Sequence, residues 1–191
     1  MDIKLNLFIS SELPNKDGYT WTINSRLGDT LKKAEELFGE RDKNYTILGV
    51  EFVLAERPQV WYPGNCKQIL IQLSQHALID VNQALYQLSH ETIHCLSPNG
   101  KGVANVLEEG LATYFSESYF QLNGLTPMFS TIPEYNEAIY LVKQLLAVDM
   151  DIIKKVRLIQ PTISDISVNN LLEINSELNK DLLEKLCQPF Y

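Results

Sequence analysis

Apolar side chains recur with a period of two at the start of the chain, at Ile3, Leu5, Leu7 and Ile9, which is the spacing of a half-buried strand. Tyr19 to Ile23 reads as a second short strand. A helical spacing follows at residues 29–39, where Leu31, Ala34, Leu37 and Phe38 share one face; Asp29 is positioned to cap this helix and Gly39 to end it. Three β-rich runs come next, Tyr45 to Leu54, Gln59 to Tyr62 and Gln68 to Leu73. They are separated by Pro58 and by Pro63-Gly64-Asn65, and they predict a small sheet, partly antiparallel. From Asp80 the period is helical almost to the end, with breaks at Pro98-Asn99-Gly100, from Gly124 to Pro133, and at Pro161.

A mixed strand-and-helix first half followed by a helical second half predicts an α+β fold. The chain of 191 residues, 45% of them hydrophobic, suffices for one core of ordinary size. One domain over residues 1–191 is expected, with a strand-rich lobe containing one helix (1–79) and a helical lobe (80–191).

The change of regime falls just before a segment that carries chemistry. Asp80 with Gln83 has the form of a capping box, so a helix is expected to start at Asp80 and run to about Leu96. At about 100° per residue, Val81, Ala84, Leu85, Leu88, Cys95 and Leu96 form one apolar stripe, while Gln83, Gln87, His90 and His94 gather opposite. The histidines therefore point away from the main core. Histidines four apart sit one turn above each other and can offer ring nitrogens to one metal at about 2.0–2.1 Å. Glu91 is offset around the helix, where a carboxylate can take a proton from a water whose pKa falls to about 7 on zinc. His90-Glu91-Thr92-Ile93-His94 thus predicts a zinc-dependent hydrolase site, against the alternative of a chance match on a solvated helix face.

A catalytic zinc needs a third protein ligand and leaves its fourth position to water. No histidine follows His94, and no aspartate before Asp149. The near acids are Glu108, Glu109 and Glu117, on a helix predicted from Val103 to Phe120. A helical wheel sets Glu108 closer than Glu109 to the apolar stripe of Leu107, Leu111, Tyr114 and Phe115, which leaves the choice between them open. Gly110 would let two helices approach closely.

The run Val106-Leu107-Glu108-Glu109-Gly110-Leu111-Ala112-Thr113-Tyr114-Phe115 resembles the second zinc-binding helix of the gluzincin metallopeptidases, the clan of thermolysin-like enzymes and zinc aminopeptidases. The resemblance covers about Lys67 to Phe120, and its specific part is two short motifs. It implies a small zincin-like fold with an active-site helix and a second metal-ligand helix. It implies Zn2+ held by His90, His94 and Glu109, with Glu108 in reserve. It implies peptide hydrolysis in which Glu91 is the general base on zinc-bound water and a downstream His or Tyr steadies the oxyanion. No downstream His exists; of Tyr114, Tyr119, Tyr135 and Tyr140, we assign the role to Tyr135, from the later helical part. Substrates of the clan pair with the edge strand before the motif helix, here Gln68 to Leu73. The Gly-x-Met-x-Asn signature of the zinc aminopeptidases is absent, which favours an endopeptidase. Only about seventy residues follow Phe120, fewer than the closing lobes of many clan members.

The remaining features narrow the partners. A net charge of -8 disfavours nucleic acid or an anionic membrane as the main partner, so a protein or peptide substrate is expected. No stretch is long and apolar enough to span a bilayer, and Met1 to Phe8 lacks the form of a secretory signal, so a cytoplasmic protein is expected. Cys66, Cys95 and Cys187 are scattered like free thiols. Cys95 is the one thiol near the motif, yet it falls on the apolar stripe, which disfavours a closed structural zinc site. His76 reads as a turn or surface histidine. The alternative function is a gluzincin-like binding or regulatory module without turnover.

Overall fold

The computed structural model describes residues 22–64, 67–100 and 103–190. The strand expected at Ile3 to Ile9 lies outside them. So does most of Tyr19 to Ile23; of its last two residues, Thr22 is the extended cap of a helix and Ile23 is the first residue of that helix. Thr22 caps helix α1 (Ile23–Phe38): its hydroxyl accepts from the Ser25 amide at 3.1 Å, while its own amide donates to Ser25 Oγ at 2.8 Å. The cap is therefore Thr22 and not Asp29. Asp29 is used elsewhere, in an ion pair with Lys33 at 3.2 Å and as acceptor from the Tyr119 hydroxyl at 2.7 Å. Gly39 ends the helix as expected, at a φ of 92°.

Strands β1 (Thr46–Phe52), β2 (Gln59–Trp61) and β3 (Gln68–Leu73) form a mixed sheet in the order β1-β3-β2. β1 runs parallel to β3 and β2 antiparallel to it. The register moves from Ile47↔Ile69 to Val50↔Ile71, so β1 carries one extra residue at a bulge. Gly49 sits in that bulge at a φ of 139°, a backbone region that favours glycine. β3 is central, with Ile69, Ile71 and Leu73 fully buried. The expectation that Gln68 to Leu73 is an edge strand fails, because both of its edges are paired.

The helices are α2 (Val81–His94), α3 (Val106–Leu122), α4 (Pro133–Val148), α5 (Ile152–Val156), α6 (Val168–Ile174) and α7 (Lys180–Leu186). The fold is α+β. Among the described residues, no helix is long and apolar enough to cross a membrane.

Two apolar clusters meet at α2. Leu85, Ile93 and Leu96 join the helical core of Leu107, Phe115, Val142 and Leu183, whereas Ala84, Leu88 and Cys95 pack with Leu27, Ile69 and Ile71 over the sheet. The single stripe of the helical wheel thus divides into two buried faces.

Arg157 joins the parts covalent order keeps apart. Its buried guanidinium donates to the carbonyls of Phe38, Gly39, Glu40 and Leu96 at 2.7 to 3.2 Å, and its Nε to that of Pro161 at 3.1 Å. Five N–H donors in a rigid fork are what let one side chain close two helix ends at once.

Gly110 makes a close approach, but to α4 rather than between the two motif helices. A Cβ there would lie 2.6 Å from the Ala138 carbonyl oxygen and 2.6 Å from Val142 Cγ2.

Candidate metal centre

α2 is anchored at its start and along its polar stripe. Asp80 accepts from the amides of Asn82 and Gln83 at 2.8 and 3.2 Å. Gln83 does not reach back, so the expected capping box is only half formed; its side chain lines the cleft instead. Gln87 takes the Ser74 amide at 2.9 Å and donates to Ser74 Oγ at 2.7 Å, stitching α2 to the end of β3. One turn on come His90 and His94, half-buried, with ring centroids 5.2 Å apart.

α3 starts three residues later than Val103 because Asn105 caps it. The Asn105 side-chain oxygen accepts from the Glu108 amide at 2.8 Å, and its amide donates to the carbonyls of Ile163 and Ser164 at 3.3 and 3.2 Å. The chain entering α3 also pairs with the carboxyl-terminal segment: the Val106 amide donates to Gln188 and the Phe190 amide to Ala104, each at 2.9 Å. This clamping fixes where Glu108 and Glu109 emerge.

The two glutamates then part company. Glu109 reaches both histidine rings, with Oε2 at 3.1 Å from His90 Nε2 and Oε1 at 3.7 Å from His94 Nε2. Glu108 lies behind, with Oε1 at 2.8 Å from His94 Nδ1. That contact engages one ring nitrogen and turns the other toward Glu109 and His90, the supporting role a carboxylate plays behind a metal-binding imidazole. Glu91 is nearby: one ligand atom from each of His90, Glu91 and His94 lies within 4.8 Å of the others.

A tetrahedral zinc with bonds of about 2.0–2.1 Å sets its donors about 3.3–3.4 Å apart. Glu109 comes near that spacing with a different oxygen for each ring, Oε2 toward His90 at 3.1 Å and Oε1 toward His94 at 3.7 Å. Two imidazole nitrogens and a carboxylate are also the donor types zinc takes. In donor type, the residues present fit the ion.

Charge is concentrated here. Glu91 is 4% exposed, and burial, only partly offset by the two histidines, raises its carboxyl above the usual range. For His94, burial opposes the charged form, but Glu109 and then Glu108 outweigh it and lift the ring to about 10. Glu109 is the counterpart. Burial would raise it, and the charges of His94 and His90 instead pull it down to about 2. A cation and a proton on His94 are alternative ways to supply the positive charge these carboxylates demand.

The site opens into a cleft of 430 Å³ walled by α2, α3, the β2 region and the start of α4. Tyr135 lines it, with its ring edge-on to His90 at 5.5 Å and against Phe190 at 4.9 Å. Burial, then Glu109 and Glu91, push its hydroxyl up to about 12. Tyr114, Tyr119 and Tyr140 do not line the cleft. Tyr119 is buried and bonded to Asp29 and Arg26, Tyr140 is 64% exposed, and Tyr114 packs on the helical core.

No family model, curated protein or solved structure matches this chain. What the site can do rests on its own chemistry.

Other expected or competing ligands lie elsewhere. Glu117 is paired with Lys143 at 3.1 Å. Cys95 is buried in the sheet-side cluster, where burial raises its thiol. His76 is exposed and meets Glu56 at 3.0 Å. Sequence reasoning missed Tyr86 and Tyr62, which line the cleft. Tyr86 was within reach of it, since it stands four residues before His90 and so on the same helix face.

Proposed function

We propose that this protein is a zinc-dependent peptidase in which His90, His94 and Glu109 hold the metal and Glu91 handles the proton. The observation that carries the reading is the Glu109 carboxylate spanning both ring Nε2 atoms, at 3.1 and 3.7 Å, beside the buried carboxyl of Glu91.

Zinc, when bound, supplies the Lewis acidity that lets water attack a peptide carbonyl near neutral pH. Glu91 takes a proton from the attacking water and returns it to the leaving amine; burial biases its carboxyl toward holding that proton. Glu108 keeps His94 in one ring orientation. Tyr135, whose hydroxyl stays protonated up to about 12, donates to the developing oxyanion. An extended substrate adds alongside β2, whose residues Gln59 and Val60 line the cleft and whose second edge is unpaired among the described strands. The missing free-amine signature favours cleavage within chains.

One observation favours the competing reading of a module that binds without turnover. The cluster is already satisfied by its own contacts, His94 with Glu108 and His90 with Glu109, as a purely structural network would be. Glu91→Gln separates the two. For a peptidase, the variant keeps its zinc and loses cleavage of a denatured protein by at least about a hundredfold. Cleavage that survives the substitution, or a wild-type chain that binds zinc and cuts nothing in a broad peptide screen, removes the peptidase reading.

A further inference from the structure

Among its described lining residues the cleft holds three carboxylates, Glu91, Glu108 and Glu109, and a single Lys or Arg side chain, that of Arg57. Glu109 and Glu108 are paired with the two histidines, and Glu91 lies beside them. Arg57 is not so paired: it makes no hydrogen bond or ion pair with any described residue. Its neighbour in sequence, Glu56, is engaged elsewhere, by Gln75 at 2.5 Å and by His76 at 3.0 Å. An arginine with no carboxylate of its own, facing a concave site, is an open fork for an anionic planar group.

Its position matters as much as its charge. Arg57 stands two residues before β2, and Pro58, Gln59 and Val60 continue the same wall. A peptide lying along β2 therefore passes it on the way to the histidines. Tyr135, across the cleft, feels its charge, since Arg57 opposes the upward push on that hydroxyl. At long range the chain, with a net charge of -8, repels acidic peptides. Screening confines that repulsion to roughly 8 Å at physiological salt, so the local cation decides what the cleft accepts.

We propose that Arg57 is a specificity-determining residue that binds a carboxylate of the substrate, from an acidic side chain or from the end of a peptide. This rests on the peptidase reading of the same site. The group recognised is in both cases a carboxylate, and the test separates the sources.

The test uses the zinc-loaded full chain and one set of amidated, acetylated peptides in which a single Glu replaces Gln at each position in turn. A parallel Gln peptide carries a free carboxyl terminus. Two readouts are taken: kcat/KM for the wild type, Arg57→Gln and Arg57→Lys, and equilibrium binding of the same peptides to Glu91→Gln with and without Arg57→Gln. Because Arg57 is exposed, the substitution leaves the core alone. The expected result is a preference of about tenfold for Glu over Gln at one position, or for the free carboxyl terminus. It falls to near one in Arg57→Gln and survives in part in Arg57→Lys. A preference unchanged by Arg57→Gln, or none in the wild type, overturns the proposal. If no peptide is cut but Glu91→Gln protein still discriminates through Arg57, the carboxylate site stands and the peptidase reading falls. If neither readout discriminates, the carboxylate site falls.

Discussion

Gly110→Ala fills a close approach of α3 to α4. In an exposed helix the substitution would stabilise by about 0.8–1.0 kcal/mol, through helix propensity alone. Here the new methyl would sit 2.6 Å from the Ala138 carbonyl oxygen and 2.6 Å from Val142 Cγ2, where ordinary contact begins at 3.4 Å. The helices must separate by about 0.8 Å, the difference between those two distances. Neither neighbour yields easily. One is backbone in mid-helix, and the other is a fully buried valine with a stiff χ1. Overpacking of this kind costs about 1–3 kcal/mol, and we take the upper end because a carbonyl is involved. Net of propensity, the loss is about 2 kcal/mol, which for a chain of this size lowers the melting midpoint by about 4–8 °C. Thermal unfolding followed by circular dichroism, wild type beside variant, reads this directly. A variant that melts higher than the wild type would refute the reasoning, because propensity alone would then have prevailed. The same displacement shifts Tyr135, one turn before Ala138 on α4, relative to His90.

Three further outcomes follow from other contacts. Glu108→Gln lowers zinc affinity by about 10–100-fold in a chelator competition while leaving the stoichiometry at one, because it loosens His94 without removing a ligand; an unchanged affinity would mean the Nδ1 contact is idle. Arg157→Met lowers stability to urea by at least about 3 kcal/mol, since the buried carbonyls it serves lose a charged donor together; a loss under 1 kcal/mol would show that water replaces it. In chelator-treated protein, His94 has a folded-state pKa of about 10, above its ordinary 6.5. Its contribution is therefore fully present below pH 6.5 and lost as pH rises through 10. The melting midpoint should fall across that window in the wild type and fall less in His94→Gln.

What the sequence revealed followed the range of the interaction. The polar stripe of Gln83, Gln87, His90 and His94 was legible because residues at helical spacing share a face whatever surrounds them, and that stripe became a cleft wall. Gly39 ended α1 for an equally local reason. The start of α1 was misread because Asp29 is the louder capping residue, while its carboxylate is committed to Tyr119 across the fold and to Lys33 one turn on in the same helix. The place of Gln68 to Leu73 in the sheet depends on pairing between distant segments, which periodicity does not encode. Glu108 and Glu109 illustrate the limit best. A wheel ranks them by burial, with Glu108 the deeper, but cannot see that the shallower one spans two rings on another helix. Tyr135 could be put forward on chain order, whereas its contact with His90 is tertiary.

The central claim is that Glu109, and not Glu91, completes a zinc site with His90 and His94. Zinc per chain, measured after zinc-replete expression and dialysis for wild type, Glu91→Gln and Glu109→Ala, tests it most directly. One zinc per chain in the first two and loss in the third is the predicted result. A zinc-free wild type, or zinc kept by Glu109→Ala and lost from Glu91→Gln, would contradict the account.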